Sequence, residues 1–143
     1  MLKDEARTKE EICGLVELYS SRVLATRHRQ VPLRGRKCRA AVMRTLLGYE
    51  VKAGRKRITC PDAVTARYLR AFAETGLAAV RIPYDPTVTR GMVSEVESAL
   101  ERIREAAGMA PGSCRKAYRW LRDRLLKAEQ EQLTGTLISR RSP

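Results

Sequence analysis

Residues 59–82 read TCPDAVTARYLRAFAETGLAAVRI and combine a helix start, an amphipathic helix and a short apolar run. In the opening Thr-Cys-Pro-Asp, Thr59 can cap the helix, Pro61 is tolerated in its first turn, and Asp62 favours the positive end of the helix dipole. Apolar residues then recur at helical spacing as far as Gly76, where we expect the helix to end. The run 77–82, bounded by Pro83, predicts a strand. The apolar side of the helix consists of Val64, Tyr68, Leu69, Phe72 and Ala73.

This helix and strand resemble the recognition helix and first wing strand of winged-helix DNA-binding domains. The matching residues are AVTARYLRAFAETGL at 63–77 and VRI at 80–82, and the resemblance covers at most residues 39–82. In that family the outer face of the helix enters the major groove and the inner face packs on a preceding helix. The alternative is an ordinary amphipathic helix followed by a strand in another α+β fold. The resemblance implies that Thr65, Ala66, Arg67 and Arg70 face DNA, that Val64, Leu69 and Phe72 face the core, and that Arg81 lies on the wing strand.

Upstream, the sequence predicts a helix from about Lys9 to about Ala25. Thr8 and Glu11 have the spacing of a capping box, and apolar residues follow at helical intervals. Residues 26–36 contain a proline and a glycine that break any regular pattern, so we expect a basic loop.

Two further elements are predicted between this loop and the helix. Residues 37–47 have the spacing of a short amphipathic helix that Gly48 would end. Residues 49–59 alternate around Ala53-Gly54, which predicts a hairpin with a two-residue turn. A single strand or a basic loop is the alternative for the latter segment.

Downstream, Asp85-Pro86 supplies a cap and a first-turn proline for a long helix that Gly108 closes. A last helix is predicted from Ser113 to about Gln132. The first of these helices is rich in glutamate and the second in arginine, so they can pair as an antiparallel hairpin. That hairpin would either cap a single core or form a homodimer interface.

These elements predict a mainly helical α+β fold, with a winged-helix-like core, a small antiparallel sheet and a C-terminal helical hairpin. The corresponding division is residues 1–84 as a basic nucleic-acid-binding core, residues 85–132 as the hairpin and residues 133–143 as a tail.

Positive charge is concentrated between Leu18 and Pro61. This stretch carries twelve basic residues and a single acid, Glu50, so its net charge is +11 of the +13 for the whole chain. A surface ion-pair network needs interspersed acids, which are missing here. Such a field indicates a polyanionic partner, with nucleic acid first. Few aromatic residues accompany the charge, so contact with a duplex backbone is favoured over stacking on single strands.

The candidate nucleic-acid-binding residues come from three segments. They are Arg27, Arg29, Arg34, Arg36, Lys37 and Arg39 in and after the basic loop; Arg55, Lys56 and Arg57 in the hairpin; and, from the winged-helix resemblance, Thr65, Arg67, Arg70 and Arg81.

Catalysis finds little support in the sequence. His28 lies between two arginines, and no serine or cysteine has a partner at a catalytic spacing. Glu50-Val51-Lys52 matches the Glu-x-Lys element of one class of metal-dependent nucleases, but no acid lies between Glu17 and Glu50 to complete it. No cofactor motif or metal site is predicted, because the four cysteines are far apart. We expect them to be small buried side chains, with disulfides left open.

The chain has no apolar run long enough to cross a membrane and no signal-peptide pattern, so a cytoplasmic location is expected. The absence of asparagine is typical of proteins from hot environments. The predicted function is non-catalytic binding of double-stranded DNA in transcriptional regulation or chromatin association. The alternatives are an RNA-binding component of a ribonucleoprotein and a basic module that binds an acidic protein.

Overall fold

A computed structural model describes residues 3–33 and 39–141, with side chains as far as Thr134 in the last helix. The fold is mainly helical α+β, as predicted. In chain order the elements are α1 (Glu5–Tyr19), a π-helical turn (Ser20–Leu24), β1 (His28–Pro32), β2 (Ala40–Thr45), β3 (Gly48–Ala53), β4 (Lys56–Cys60), α2 (Ala63–Ala73), β5 (Ala79–Pro83), α3 (Pro86–Ala107) and α4 (Pro111–Arg141).

The described strands form two small antiparallel sheets. β1 pairs with β5, with Val31 opposite Val80. β2, β3 and β4 form a three-stranded meander in which Val51 lies opposite Val42 on one side and Ile58 on the other. Because side chains alternate across a sheet, these three residues share the face that packs on α2.

α2 lies at the centre of the molecule. It packs against β2 and β3 on one side and against α3 on another. α1 packs against both α3 and α4, so the two C-terminal helices share one hydrophobic core with the N-terminal residues. Tyr19, Tyr68 and Phe72 form the aromatic centre of this core, with ring centroids 5.8 Å and 5.0 Å apart for the two pairs that include Phe72.

Several predicted elements are confirmed. α2, β5 and α3 lie within a few residues of their expected bounds, and Asp85 caps α3 by accepting from the Thr87 amide at 2.9 Å. The hairpin of residues 49–59 is also present, although its turn is Gly54-Arg55 because Ala53 is already paired with Lys56.

The N-terminal cap was assigned wrongly. α1 begins at Glu5 because the Asp4 carboxylate accepts from the Arg7 amide at 3.0 Å. Thr8 lies inside the helix, is fully buried and donates its hydroxyl to the Asp4 carbonyl. Thr59 likewise lies in β4, and Asp62 caps α2 by accepting from the Thr65 amide at 2.7 Å.

The prediction of a helix over residues 37–47 was also wrong. Residues 40–45 form β2, whose backbone pairs with β3 from Ala40–Ala53 to Thr45–Gly48. Residues 28–32, expected in a loop, form β1 because they pair with β5. At the C-terminus, α4 begins at Pro111 and continues to Arg141, well beyond the end that was predicted near Gln132.

Candidate nucleic-acid interface

Strand pairing brings Arg39 beside four cations of residues 52–57 at one end of the three-stranded sheet. Ala40 lies opposite Ala53, which brings the start of β2 beside the Gly54-Arg55 turn. The resulting group, here called the basic sheet surface, consists of Arg39, Lys52, Arg55, Lys56 and Arg57. Lys52 and Arg57 lie on one face of the sheet, whereas Lys56 is half-buried at the edge of the face that α2 covers, opposite Ala53.

Two members of this surface are directly opposed. Lys52 on β3 is the register partner of Arg57 on β4, and both side chains are exposed. Like charges placed directly opposite one another destabilise a sheet by roughly 0.2–1 kcal/mol. The direct opposition of Lys52 and Arg57 therefore does not stabilise the sheet.

One acid accompanies the basic sheet surface. Glu50 lies on the same face of β3 as Lys52, and its carboxylate is 3.6 Å from the Arg57 guanidinium. Glu50 is the only acidic residue in the sequence between Arg39 and Cys60. It can offset one of the five positive charges, so the surface keeps a strong net positive charge.

The outward face of the sheet is open in the described residues. α2 covers the other face, whereas the outward positions are exposed apart from the half-buried Gly48 and Glu50. The exposed outward residues are Ala41, Met43, Thr45, Lys52, Arg57 and Thr59. A polyanion can therefore reach the cations on this face without rearrangement of the core.

α2 does not present the predicted recognition face. Thr65 and Ala66 were expected to face DNA but are buried, because β2 and β3 cover one side of the helix and α3 covers another. Arg67 turns to α3, where its guanidinium forms a close ion pair with Glu97 that raises the pKa of Arg67. Val64 is partly buried against the core, and the predicted burial of Leu69 and Phe72 is confirmed.

Arg70 lies beside the basic sheet surface. Its Nε donates to the Ala40 carbonyl at 3.1 Å, and the same atom is 3.6 Å from the Glu74 carboxylate. Its side chain thus ties the end of α2 to the start of β2. We assign Arg70 to positioning the sheet, since its guanidinium already has partners inside the molecule.

The remaining described candidates lie on the β1–β5 sheet. Arg27 places its guanidinium carbon 5.1 Å from the ring centroid of the exposed Tyr84. Arg29 on β1 is exposed and lies near Cys60: burial and the Asp62 carboxylate raise the pKa of the Cys60 thiol, and the Arg29 charge opposes them. Arg34, Arg36 and Lys37 lie outside the described residues.

Arg81 has a firmly held backbone. Its amide donates to the Tyr19 hydroxyl at 2.8 Å, and its carbonyl accepts from the Tyr68 hydroxyl at 2.7 Å. The neighbouring His28 has a buried Nδ1 without a partner in the described part of the chain. Burial and the Arg81 charge lower the pKa of His28, with Glu129 opposing them. Arg81 and His28 lie on the opposite side of the β1–β5 pair from Arg29, because strand side chains alternate.

Two groups of residues were missing from the sequence-based candidates. Lys52 was counted as a charge but not as a contact, although two-residue alternation along β3 and β4 places it on the same face as Arg57. Leu46 and Leu47 were assigned to a helix, whereas they form the exposed turn between β2 and β3.

A second basic surface lies on α4, which packs against α1 and α3. Its exposed cations Arg115, Lys116 and Arg119 lie beside the half-buried Trp120. The Lys9 and Lys116 ammonium groups are 4.8 Å and 5.2 Å from the Trp120 ring centroid. This surface provides a natural comparison for the sheet, since it carries similar charge on a different element.

The cysteines and the potential metal ligands of the described residues are dispersed. His, Cys, Asp and Glu side chains in this part of the chain do not gather in a group of three that could hold a metal ion. Cys60 is buried and Cys114 is half-buried, but the exposed Cys13 contradicts the expectation of burial; all three are free thiols. None of the described helices combines the length and apolar character needed to cross a membrane.

The chain was compared with protein-family models, curated proteins and solved structures, and no match was found in any of the three comparisons.

Proposed function

We propose that this protein binds double-stranded DNA without catalysis, through the basic sheet surface. The observation that carries the proposal is the exposed Lys52–Arg57 pair, set beside Arg39, Arg55 and Lys56 with one acid nearby. The direct opposition of Lys52 and Arg57 does not stabilise the fold, although the Glu50 carboxylate offsets part of the Arg57 charge. The phosphodiester backbone of DNA relieves the repulsion between the two cations, because each phosphate that they contact supplies a negative charge. The protein cations replace counterions that were condensed on the DNA.

The shape of the meander supports a duplex as the partner. Three strands at about 4.8 Å spacing place the outer strands about 10 Å apart. The major groove of B-DNA is about 12 Å wide and admits a two-stranded ribbon. With its backbone and side chains included, the three-stranded sheet is wider than this groove, so it would lie over the duplex with its cations at the phosphates on the groove edges.

The composition of the open face favours backbone contact over base reading. Apart from the cations Lys52 and Arg57, which the phosphates would occupy, its polar outward side chains are Thr45, Glu50 and Thr59, and these offer few of the paired donors and acceptors that discriminate base pairs. A general affinity for duplex DNA follows, as in a chromatin-associated protein, rather than recognition of one operator.

Fluorescence anisotropy with a labelled duplex, measured over a series of salt concentrations, tests the proposal. We expect log affinity to fall linearly with log salt, with a slope of about −0.9 for each phosphate neutralised. A flat salt response contradicts the proposal. Tighter binding of double-stranded RNA than of DNA would favour a ribonucleoprotein role, and no nucleic-acid binding at low salt would favour an acidic protein partner.

The same samples test for nuclease activity. Glu50 and Lys52 share the exposed face of β3, but the Glu50 carboxylate is already paired with Arg57. We expect intact duplex after incubation with Mg²⁺ or Mn²⁺. Cleavage that disappears in Glu50→Gln would replace the binding role with an enzymatic one.

A homodimer through α4 is a further part of the proposal. Leu126 and Leu133 lie seven residues apart on this helix and are 47% and 50% exposed, so they fall on one face. Sedimentation velocity of the wild type and of Leu126→Glu would separate a dimer from a monomer.

A further inference from the structure

The turn between β2 and β3 exposes two adjacent leucines at its tip. Leu46 is 104% exposed and Leu47 is 91% exposed, so neither side chain packs on the described chain. Gly, Asn, Asp, Ser and Pro dominate such turns, each for a conformational or hydrogen-bonding reason. Leucine has none of these properties, so the turn itself does not explain the two side chains. Their burial would need an apolar environment that the described residues do not provide.

The base of this tip is firmly built. Thr45 pairs with Gly48 across the turn, and Val51 farther down β3 is fully buried. Gly48 has φ +134°, and a Cβ at this position would lie 3.0 Å from the Cys60 carbonyl oxygen. Only glycine lets β3 approach β4 so closely. The β2–β3 hairpin is therefore packed against β4 next to the turn, and the two leucines extend from this packed base.

We propose that Leu46 and Leu47 act as an apolar wedge that enters the bound duplex between base steps and kinks it. This inference rests on the proposed function, because it takes the duplex to be the occupant of the sheet. Proteins that kink DNA commonly insert leucine, isoleucine, methionine or phenylalanine in this way. Unstacked base faces supply the apolar surroundings that the two leucines lack.

The charges along the ribbon favour a nucleic acid as the occupant. From Arg39 to Arg57 the sequence carries six cations and one acid, so the partner of the tip is anionic as well as partly apolar. Arg44 is exposed two residues before the tip and can reach the nearest phosphates. The basic sheet surface lies at the opposite end of β3, about 17 Å away for the five steps from Gly48 to Ala53 at about 3.3 Å each.

This separation distinguishes a duplex from an anionic membrane. An inserted tip would lie about 5–10 Å deep in a membrane interface. The distant cations would then be separated from the headgroups by about one screening length, which is about 8 Å at physiological salt. A kinked duplex, in contrast, turns further phosphates towards the protein and can contact both ends of the ribbon.

A duplex labelled with a donor and an acceptor at its two ends tests the wedge, since kinking shortens the end-to-end distance and raises energy transfer. A second duplex carries 2-aminopurine, whose emission rises when it is unstacked. We expect the wild type to raise both signals, with a kink of about 20–90°. Leu46→Ser/Leu47→Ser should lose most of both changes while still binding the duplex, with a salt slope no steeper than that of the wild type, because it keeps every cation and loses only the phosphate contacts that kinking adds.

Met109→Ser is the matched control, because Met109 is 100% exposed in the connection between α3 and α4, away from the sheet. It should kink the duplex as the wild type does. The wedge is refuted, with DNA binding intact, if the double leucine variant kinks the duplex normally or if the wild type binds without changing either signal. Leucine-dependent sedimentation with anionic phospholipid vesicles, combined with unchanged kinking, would assign the tip to a membrane. Absence of any duplex binding removes both the proposed function and the wedge.

Discussion

Removal of the three exposed cations from the outer face and turn of the sheet should weaken DNA binding in a salt-dependent way. The variant is Lys52→Ala/Arg55→Ala/Arg57→Ala, and all three side chains are exposed. If each contacts one phosphate, the slope of log affinity against log salt should become shallower by about 2.7, at about 0.9 per contact. Raising salt from about 50 to about 200 mM should then weaken the wild type about 40-fold more than the variant. Because Arg57 is shared with Glu50, these values are upper bounds.

The structure separates this binding effect from a loss of folding. The substitutions remove the opposed Lys52–Arg57 pair, whose repulsion costs roughly 0.2–1 kcal/mol, so urea unfolding should show a stability close to that of the wild type. Arg115→Ala/Lys116→Ala/Arg119→Ala is the matched control, since it removes the same charge from the exposed surface of α4. Anisotropy titrations of both variants over the salt series show which of the two surfaces contributes the phosphate contacts. Equal changes in slope for the two variants, or a change for the α4 variant alone, would refute the assignment to the sheet.

Three further predictions concern the stability of the core and the sheet, each measured by denaturant unfolding. The pKa of His28 is lowered in the folded protein, so as pH falls the unfolded chain takes up a proton at this residue before the folded chain does. The free energy of unfolding should therefore fall as pH drops through about 6.5, and the fall due to His28 should be absent in His28→Gln. Gly48→Ala should destabilise the protein by more than about 1 kcal/mol, because Gly48 has a positive φ and the added Cβ would lie too close to the Cys60 carbonyl. Gly91→Ala is the control: it adds a Cβ in open space on α3 and should stabilise the protein by up to about 1 kcal/mol. Equal effects of the two substitutions would contradict the close approach of β3 to β4. Tyr19→Phe removes the acceptor of the Arg81 amide and should cost about 1–3 kcal/mol, and a loss below about 0.5 kcal/mol would show that this amide finds another partner.

The parts of the fold that the sequence predicted well are those with strong local signals. Asp85 is a cap residue followed by helical periodicity, and its cap is present as a hydrogen bond; the start of α2 was also predicted within a few residues, although its cap is Asp62 and not Thr59. A glycine follows α2 and another ends α3, with positive φ at Gly76 and Gly108. In these segments the local signals for helix starts and ends agree with the tertiary structure, so the sequence alone predicts the helices.

β2 was missed because its local pattern is ambiguous. Residues 40–45 read AAVMRT, and this short run fits one side of a helix as well as an alternating strand. Its strand conformation depends on pairing with β3, and no property of the segment itself reports that pairing. Once β2 is a strand, it covers α2, and the face expected to read DNA becomes buried.

The sequence predicted the positive charge of the candidate site but not the positions of its residues relative to one another. The excess of cations between Leu18 and Pro61 is visible in the sequence, whereas the opposition of Lys52 and Arg57 depends on the strand register. Arg67 could not be excluded from the sequence either, because its partner Glu97 lies thirty residues away on α3. Both outcomes depend on contacts that only the folded chain defines.

Hydroxyl-radical footprinting of the protein, free and bound to duplex DNA, tests the central claim most directly. Met43 on the open face of the sheet is 43% exposed and Met109 beyond α3 is 100% exposed, so both should oxidise readily in the free protein. The account predicts that duplex DNA protects Met43 and the Leu46-Leu47 turn and leaves Met109 and the Trp120 region of α4 unchanged. Protection of the Trp120 region with full oxidation of Met43 would contradict it.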